Sequence, residues 1–201
     1  MDDLFNSRML SVILMSDNTN LIKHIIDHLD NLELPDAKGA QLISYICYHN
    51  SPELVRYMLD VKKVCINNSN HNGKRPIHYL CRDSKLDAIV CAVEHGAKLD
   101  CATNKGWKPI HYACMYNSPE VIRYLVNCTQ GTLSSMNNDN YTPFHIACKH
   151  QPMGIIAYMI SKGANPLEPT GGGQTIIDLM KENFYIFPDI AADGKSNKSK
   201  V

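Results

Sequence analysis

A chain of 201 residues with 44% hydrophobic and 20% charged side chains has ordinary globular composition and can bury a core of one or two domains. Twenty Lys and Arg balance twenty Asp and Glu. That balance argues against a general nucleic-acid binder, whose surface is basic and clustered on one face, and against an acidic disordered tail. Apolar runs such as Val12-Ile13-Leu14-Met15 between Ser11 and Ser16 fall far short of the roughly 20 residues that a membrane span needs. Met1-Asp2-Asp3 lacks the positive start of a secretory signal. The expectation is a soluble cytoplasmic protein, with a nuclear location left open.

From the N-terminus, residues 4–15 and 21–29 carry apolar side chains at helical spacing. Beyond them the chain repeats itself. Gly39 to Cys47, Gly73 to Cys81, Gly106 to Cys114 and Asn140 to Cys148 align. Their cysteines lie 34, 33 and 34 residues apart, and Pro76, Pro109 and Pro143 keep the same register. Self-similarity at such a period marks a repeat architecture. A second motif recurs two periods apart: Asn50-Ser51-Pro52-Glu53-Leu54-Val55-Arg56-Tyr57 matches Asn117-Ser118-Pro119-Glu120-Val121-Ile122-Arg123-Tyr124. Serine caps a helix, proline suits its first position and glutamate complements its dipole. Gly96 and Gly163 fall where such a helix ends. Each unit is therefore expected to be a helix, a turn, a second helix and a turn-rich connector.

These units resemble the ankyrin repeat. Thr142-Pro143-Phe144-His145-Ile146-Ala147 is close to that family's T-P-L-H-x-A box. Arg75-Pro76-Ile77-His78 and Lys108-Pro109-Ile110-His111 keep its Pro and His. The resemblance covers about residues 36–183. It implies an all-α, ankyrin-type solenoid of helix-turn-helix units joined by β-turn or hairpin connectors. Residues 1–35 would be an N-terminal helical cap, followed by repeats at 36–69, 70–102, 103–136 and 137–169. A truncated C-terminal copy would span 170–190, with Asp178 standing where the others have His and Phe184 to Pro188 folding over the exposed end. Residues 191–201 would form a disordered polar tail. The family also implies that the box histidines bond backbone groups and tie neighbouring repeats together.

Eight Cys and nine His invite a metal or disulfide reading. A reducing compartment disfavours stable disulfides, and no pair has C-x₂-C spacing. Packed helices lie about 8–10 Å apart, whereas zinc–sulfur bonds are about 2.3 Å. Translated copies such as Cys47, Cys81, Cys114 and Cys148, or His78, His111 and His145, cannot share one ion. Small buried packers are the expected role of the cysteines, with Cys128, in a lengthened connector, the exposed thiol. Pro169-Thr170-Gly171-Gly172-Gly173-Gln174-Thr175 lacks the lysine of a phosphate loop and is expected to be a turn. Without secretion, the sequons at Asn67, Asn127 and Asn140 are chance matches. No catalytic signature and no cofactor motif is present.

In the resembled family, partner contacts fall on finger tips and on the exposed end of the first helix. Carried over, the finger row is Ala40, Lys74, Trp107, Tyr141 and Gln174. The helix-end row is Tyr48-His49, Arg82-Asp83, Met115-Tyr116 and Lys149-His150. From these, Lys74, Arg82, Trp107, Met115, Tyr116, Tyr141, Lys149 and His150 are the candidate partner-binding residues. Aromatic residues, Met and Arg are the types enriched at interfaces. Trp107 and Tyr141 either stand open for a partner or fold down and pack on neighbouring fingers. The function expected is a non-enzymatic scaffold or adaptor that binds another protein, acidic near its anchor. It takes no nucleic acid, membrane or small-molecule substrate. Alternatives are a regulatory subunit or inhibitor docking on an enzyme, a fragment of a larger protein, and an enzyme with a dispersed site.

Overall fold

A computed structural model describes residues 14, 18–49, 51–83, 85–116, 119–129, 132–176 and 178. The expected helix at 4–15 (Leu14 apart), the Ser118 cap, the apolar stretch Phe184 to Pro188 and the tail 191–201 lie outside the described residues. The elements in order are α1 (Thr19–Asp27), α2 (Leu42–Tyr48), α3 (Pro52–Arg56), α4 (Pro76–Asp83), α5 (Leu86–Glu94), α6 (Pro109–Tyr116), α7 (Pro119–Cys128), α8 (Pro143–His150) and α9 (Met153–Ser161). The helix α3 runs on into a π-helical turn, Tyr57–Val61. A 3₁₀ turn at Thr132–Ser134 occupies the lengthened connector.

The helices form two layers. The first helices α2, α4, α6 and α8 pack side by side in one row; behind them α3 lies against α5 and α7 against α9. The core lies between the layers and repeats with the sequence. Ile43, Ile46 and Cys47 are matched by Ile77, Leu80 and Cys81, by Ile110, Ala113 and Cys114, and by Phe144, Ala147 and Cys148, all buried. Their i, i+3, i+4 spacing puts them on one helical stripe. The second helices answer with Leu54, Val55 and Met58, Ile89 and Ala92, Ile122 and Leu125, and Ile156 and Met159. The box cysteines are therefore packers. Burial pushes the thiols of Cys47, Cys81 and Cys114 well above the ordinary range. Cys128 is exposed as expected, and so is Cys65.

Local chemistry sets the ends of each unit. The hydroxyl of Ser51 accepts from Leu54 N at 3.4 Å, with Pro52 at the first helical position. At the far ends of α5 and α9 the chain closes on Gly96 (φ 81°) and Gly163 (φ 96°). There Ala97 N donates to Ala92 O at 2.9 Å and Ala164 N to Met159 O at 3.0 Å, the six-to-one bond of a glycine-terminated helix.

Among the described residues the connectors include five tight hairpins of one design. The backbone N–H of Asp36, Asn70, Thr103, Asn137 and Thr170 donates to the carbonyl of Ala40, Lys74, Trp107, Tyr141 and Gln174 respectively, at 2.9–3.0 Å. The side-chain oxygen of the same five residues accepts the return bond from the same partners, at 2.8–3.2 Å. Adjacent tips are laced together: His71 N to Lys38 O, Asn104 N to Asn72 O, and Asn138 N to Lys105 O, at 2.9–3.0 Å. Gly106 shows why the tip needs glycine: φ is 75°, and an added Cβ would lie 2.6 Å from Asn138 Oδ1 and 2.9 Å from its backbone N.

The box histidines close the stack. In each, Nδ1 accepts from the backbone N–H three residues earlier: Arg75 to His78 at 2.9 Å, Lys108 to His111 at 3.0 Å, and Thr142 to His145 at 3.1 Å. Nε2 then donates to a carbonyl in the following connector: Cys101 at 3.2 Å, Ser135 at 3.0 Å and Glu168 at 2.7 Å. In the fifth copy Asp178 replaces the acceptor half of this device, its Oδ2 taking bonds from Thr175 N at 3.0 Å and Thr175 Oγ1 at 2.7 Å.

Burial pushes the pKa of His78 and His111 down from 6.5 to about 4. An unfolded histidine protonates near 6.5, so the unfolded chain binds more protons between pH 6.5 and 4. Stability from these groups is full above pH 6.5, is lost as pH falls through that window, and is level below 4. Each is worth on the order of 3 kcal/mol at most. Thermal melts from pH 7.5 to 4 should show this drop, and His111→Asn, less stable at pH 7, should show a slope shallower by about one proton.

A second prediction concerns Asn137. Its amide nitrogen is buried without a protein acceptor, whereas the equivalent Asn70 amide donates to Tyr79 Oη at 3.3 Å. Asn137→Thr would keep an oxygen for Tyr141 N, as Thr103 does for Trp107, and remove the orphaned donor. We expect a gain of about 1 kcal/mol, read as a rise of about 2–4 °C in Tm.

Candidate groove for a partner

The faces of the fingers and first helices on which the candidate residues lie carry a row of tyrosines. Tyr45, Tyr79 and Tyr112 occupy one position in successive first helices, 34 and 33 residues apart. Each hydroxyl meets the brace residue of its own finger: Tyr45 Oη donates to Asp36 Oδ2 at 2.5 Å, Tyr79 Oη accepts from Asn70, and Tyr112 bonds the Thr103 hydroxyl. In the fourth repeat this position is Ile146, which is why the Asn137 amide has no hydroxyl to meet. Burial opposes the charge on Asp36, but the bonds from Tyr45, Ala40 N and Lys38 N outweigh it and hold the carboxyl below its usual pKa. Burial and that carboxylate push Tyr45 up to about 12.

Cations are laid over these rings. Lys74 Nζ sits 4.3 Å from the Tyr79 centroid and 4.8 Å from that of Tyr112. The Arg82 guanidinium lies between Tyr48, at 5.6 Å, and Tyr116, at 5.2 Å. Lys149 Nζ is 5.3 Å from Tyr141. Contacts of this kind contribute about 0.5–1 kcal/mol each at exposed sites. Tyr48 and Tyr116 remain 46% and 50% exposed.

The eight candidate residues divide accordingly. Arg82 and Tyr116 are brought together, with Tyr48 as a third member. Lys74 is tied to Tyr79 and Tyr112. Trp107 is half-buried, its ring 5.9 Å from His111 and 5.2 Å from Tyr112, so it packs onto the first helix of its own repeat. Tyr141 is half-buried and meets His145 edge-on at 6.3 Å. Met115 is half-buried against the core. His150 is exposed beside the half-buried Lys149. The tyrosine row at box position and the finger braces were not singled out from sequence. Their signal was present, as a tyrosine and a side-chain acceptor recurring at the repeat period.

A hollow of about 210 Å³ opens between the first two repeats, lined by Lys38, Ala40, Ser44, Tyr45, Tyr48, Asn70 and Tyr79. A broader, open depression of about 680 Å³ lies against Asn18, Thr19, Asn20 and Glu53. Among the described residues no group of three or more His, Cys, Asp or Glu is placed to hold a metal ion. No helix among them is long and apolar enough to cross a membrane.

Comparison with known proteins agrees with this architecture. Residues 81–170 match the family model for ankyrin repeats in three copies. A Rickettsia felis sequence named as an ankyrin repeat protein is 24% identical over 113 residues, 56% of this chain. The match spans only 27% of that relative's length. Among solved structures, a chain from the complex of a predatory endopeptidase of Bdellovibrio bacteriovorus with an immunity protein superposes with a TM-score of 0.73. It is 19% identical, and the match covers 90% of this chain and 94% of that one. Box, period, two-layer stack and the family match over residues 81–170 together give this chain the architecture of an ankyrin repeat stack.

Proposed function

We propose that this protein is a non-enzymatic cytoplasmic binding module that holds another protein against the finger and first-helix face. Lys74, Arg82, Trp107, Met115, Tyr116, Tyr141, Lys149 and His150 would line the contact. Ankyrin repeats in general mediate protein–protein interaction. The observation that carries the reading here is the Tyr48–Arg82–Tyr116 sandwich. Two half-exposed aromatic rings and an arginine, the types that dominate hot spots, are held on a rigid row of helices and serve no buried core. Lys74 lies over the neighbouring Tyr79 and Tyr112 rings, and Trp107 and Tyr141 pack onto the first helices of their own repeats.

The structural neighbour comes from a complex of an endopeptidase with an immunity protein, and this favours a second reading in which the same face docks on an enzyme and inhibits it. An activity assay of the captured partner, with and without this protein, separates inhibition from tethering.

The test replaces the two exposed rings together. Tyr48→Ala with Tyr116→Ala leaves the core intact and removes only the two Arg82 contacts, so Tm should fall by no more than a few degrees. Retention of a partner from native-cell lysate should fall at least about tenfold. Trp107→Ala, by contrast, should lower both retention and Tm. Undiminished retention by the double variant, with a normal melt, would overturn the assignment of this face.

A further inference from the structure

The chain is neutral overall, yet its charges are sorted. The fingers and first helices (36–49, 70–83, 103–116 and 137–150) carry seven Lys and Arg against three Asp. The segments that follow them (51–69, 85–102, 119–136 and 151–169) carry seven of each sign. Of the three acids, Asp36 is engaged by Tyr45, Ala40 N and Lys38 N within its own finger. The candidate face is therefore the positive face of a neutral protein.

The tyrosines sharpen this. A row of aromatic rings in a groove could in principle receive a cation. Here the ring faces are already covered by the chain's own Lys74, Arg82 and Lys149. A cationic partner would have to displace them and would meet like charge. Bases of a single-stranded nucleic acid need open aromatic faces to stack on, and the same coverage disfavours them.

The hollow supplies the anchor. Its volume of about 210 Å³ is below the roughly 300–1,000 Å³ of small-molecule sites and suits a single side chain. Three of its seven lining residues are tyrosines, and its edge is cationic. Lys38 lines it directly, Lys74 lies over Tyr79 and Arg82 lies over Tyr48, both rings of that wall.

We infer that the occupant of this face is an acidic, extended peptide segment of a protein partner, with one aliphatic side chain seated between Tyr45, Tyr48 and Tyr79 and carboxylates flanking it on Lys38, Lys74 and Arg82. This rests on the groove reading above and specifies its ligand chemistry.

The test is fluorescence anisotropy of the full chain with a labelled peptide of four glutamates, one leucine and four glutamates. Three comparison probes accompany it: the same peptide with lysines for glutamates, the same with glycine for leucine, and a single-stranded oligothymidylate. The acidic leucine peptide should bind, and weaken several-fold from 0.05 to 0.5 M salt. The glycine version should bind about tenfold more weakly and the lysine version not measurably. Lys38→Glu, a change at an exposed side chain, should weaken the acidic peptide about tenfold, and Tyr48→Ala should reduce the leucine peptide to the level of the glycine one. Equal binding of the lysine or glycine peptide, tighter binding of the oligothymidylate, or no binding of the acidic peptide overturns the inference. If the Tyr48→Ala, Tyr116→Ala protein still loses a captured partner while the acidic probe fails, the acidic assignment falls alone. If capture is also undiminished, the groove reading falls with it.

Discussion

In the second and third repeats, the stack depends on an imidazole that is buried and kept neutral. Nδ1 of His78 and His111 faces a backbone N–H at 2.9–3.0 Å and must accept, so the ring proton sits on Nε2 and is donated to Cys101 O or Ser135 O. A protonated ring would place two like donors against each other at Arg75 N or Lys108 N. One neutral ring therefore does two jobs: it fixes the start of its own helix, and it fastens a connector 23 or 24 residues on. The surface rows rest on the same rings. Tyr112 packs on His78 at 5.6 Å and Trp107 on His111 at 5.9 Å. The face that a partner would meet is thus positioned by the groups that hold the repeats in line, and loosening one loosens the other.

The repeat was legible because its determinants are local and identical from copy to copy. A Pro-x-His box with an aliphatic stripe states where a first helix begins and which face it buries, and the spacing of Cys47, Cys81, Cys114 and Cys148 gives the register without reference to neighbours. The braces of the fingers were harder to see. Asp36, Asn70, Thr103, Asn137 and Thr170 share one task, but the task needs only an oxygen two or three bonds from the α-carbon, which three residue types can supply. Asp178 shows the same tolerance from the other side, since a carboxylate accepts the N–H of Thr175 as an imidazole would. The fate of Trp107 could not be read from its position. Whether a finger ring stands open or lies down depends on what the adjoining helix offers, here His111 and Tyr112, and that is a tertiary fact.

The candidate site was legible in its residue types and less so in its pairings. The sequence placed Arg82 and Tyr116 in one row, but the row does not say that Arg82 reaches across to Tyr48 of the preceding repeat as well. That contact crosses a repeat boundary and depends on the helix spacing. Lys74 likewise lies over one tyrosine of its own repeat and one of the next. These two cations therefore bridge repeats along the exposed face, much as the histidines bridge them inside. Tyrosine recurs at box position only through the third repeat; Ile146 ends the row, and the Asn137 amide below it is left without the hydroxyl that its counterpart Asn70 finds.

That break divides the face. On the first three repeats, the rings, their overlying cations and the hollow are continuous from Lys38 to Tyr116. At the fourth, the surface passes to Tyr141, Lys149 and His150 with an aliphatic residue beneath. A solenoid fixes its neighbours one pair at a time, so such a change in one copy need not disturb the copies before it. The chemistry of recognition can then be concentrated on the stretch where the tyrosine row is unbroken, while the later repeats keep the same backbone scaffold through Thr142, His145 and Glu168. In this chain the scaffold and the surface follow different patterns along the same period: the imidazole device runs through His145, one repeat beyond the point where the tyrosine row stops.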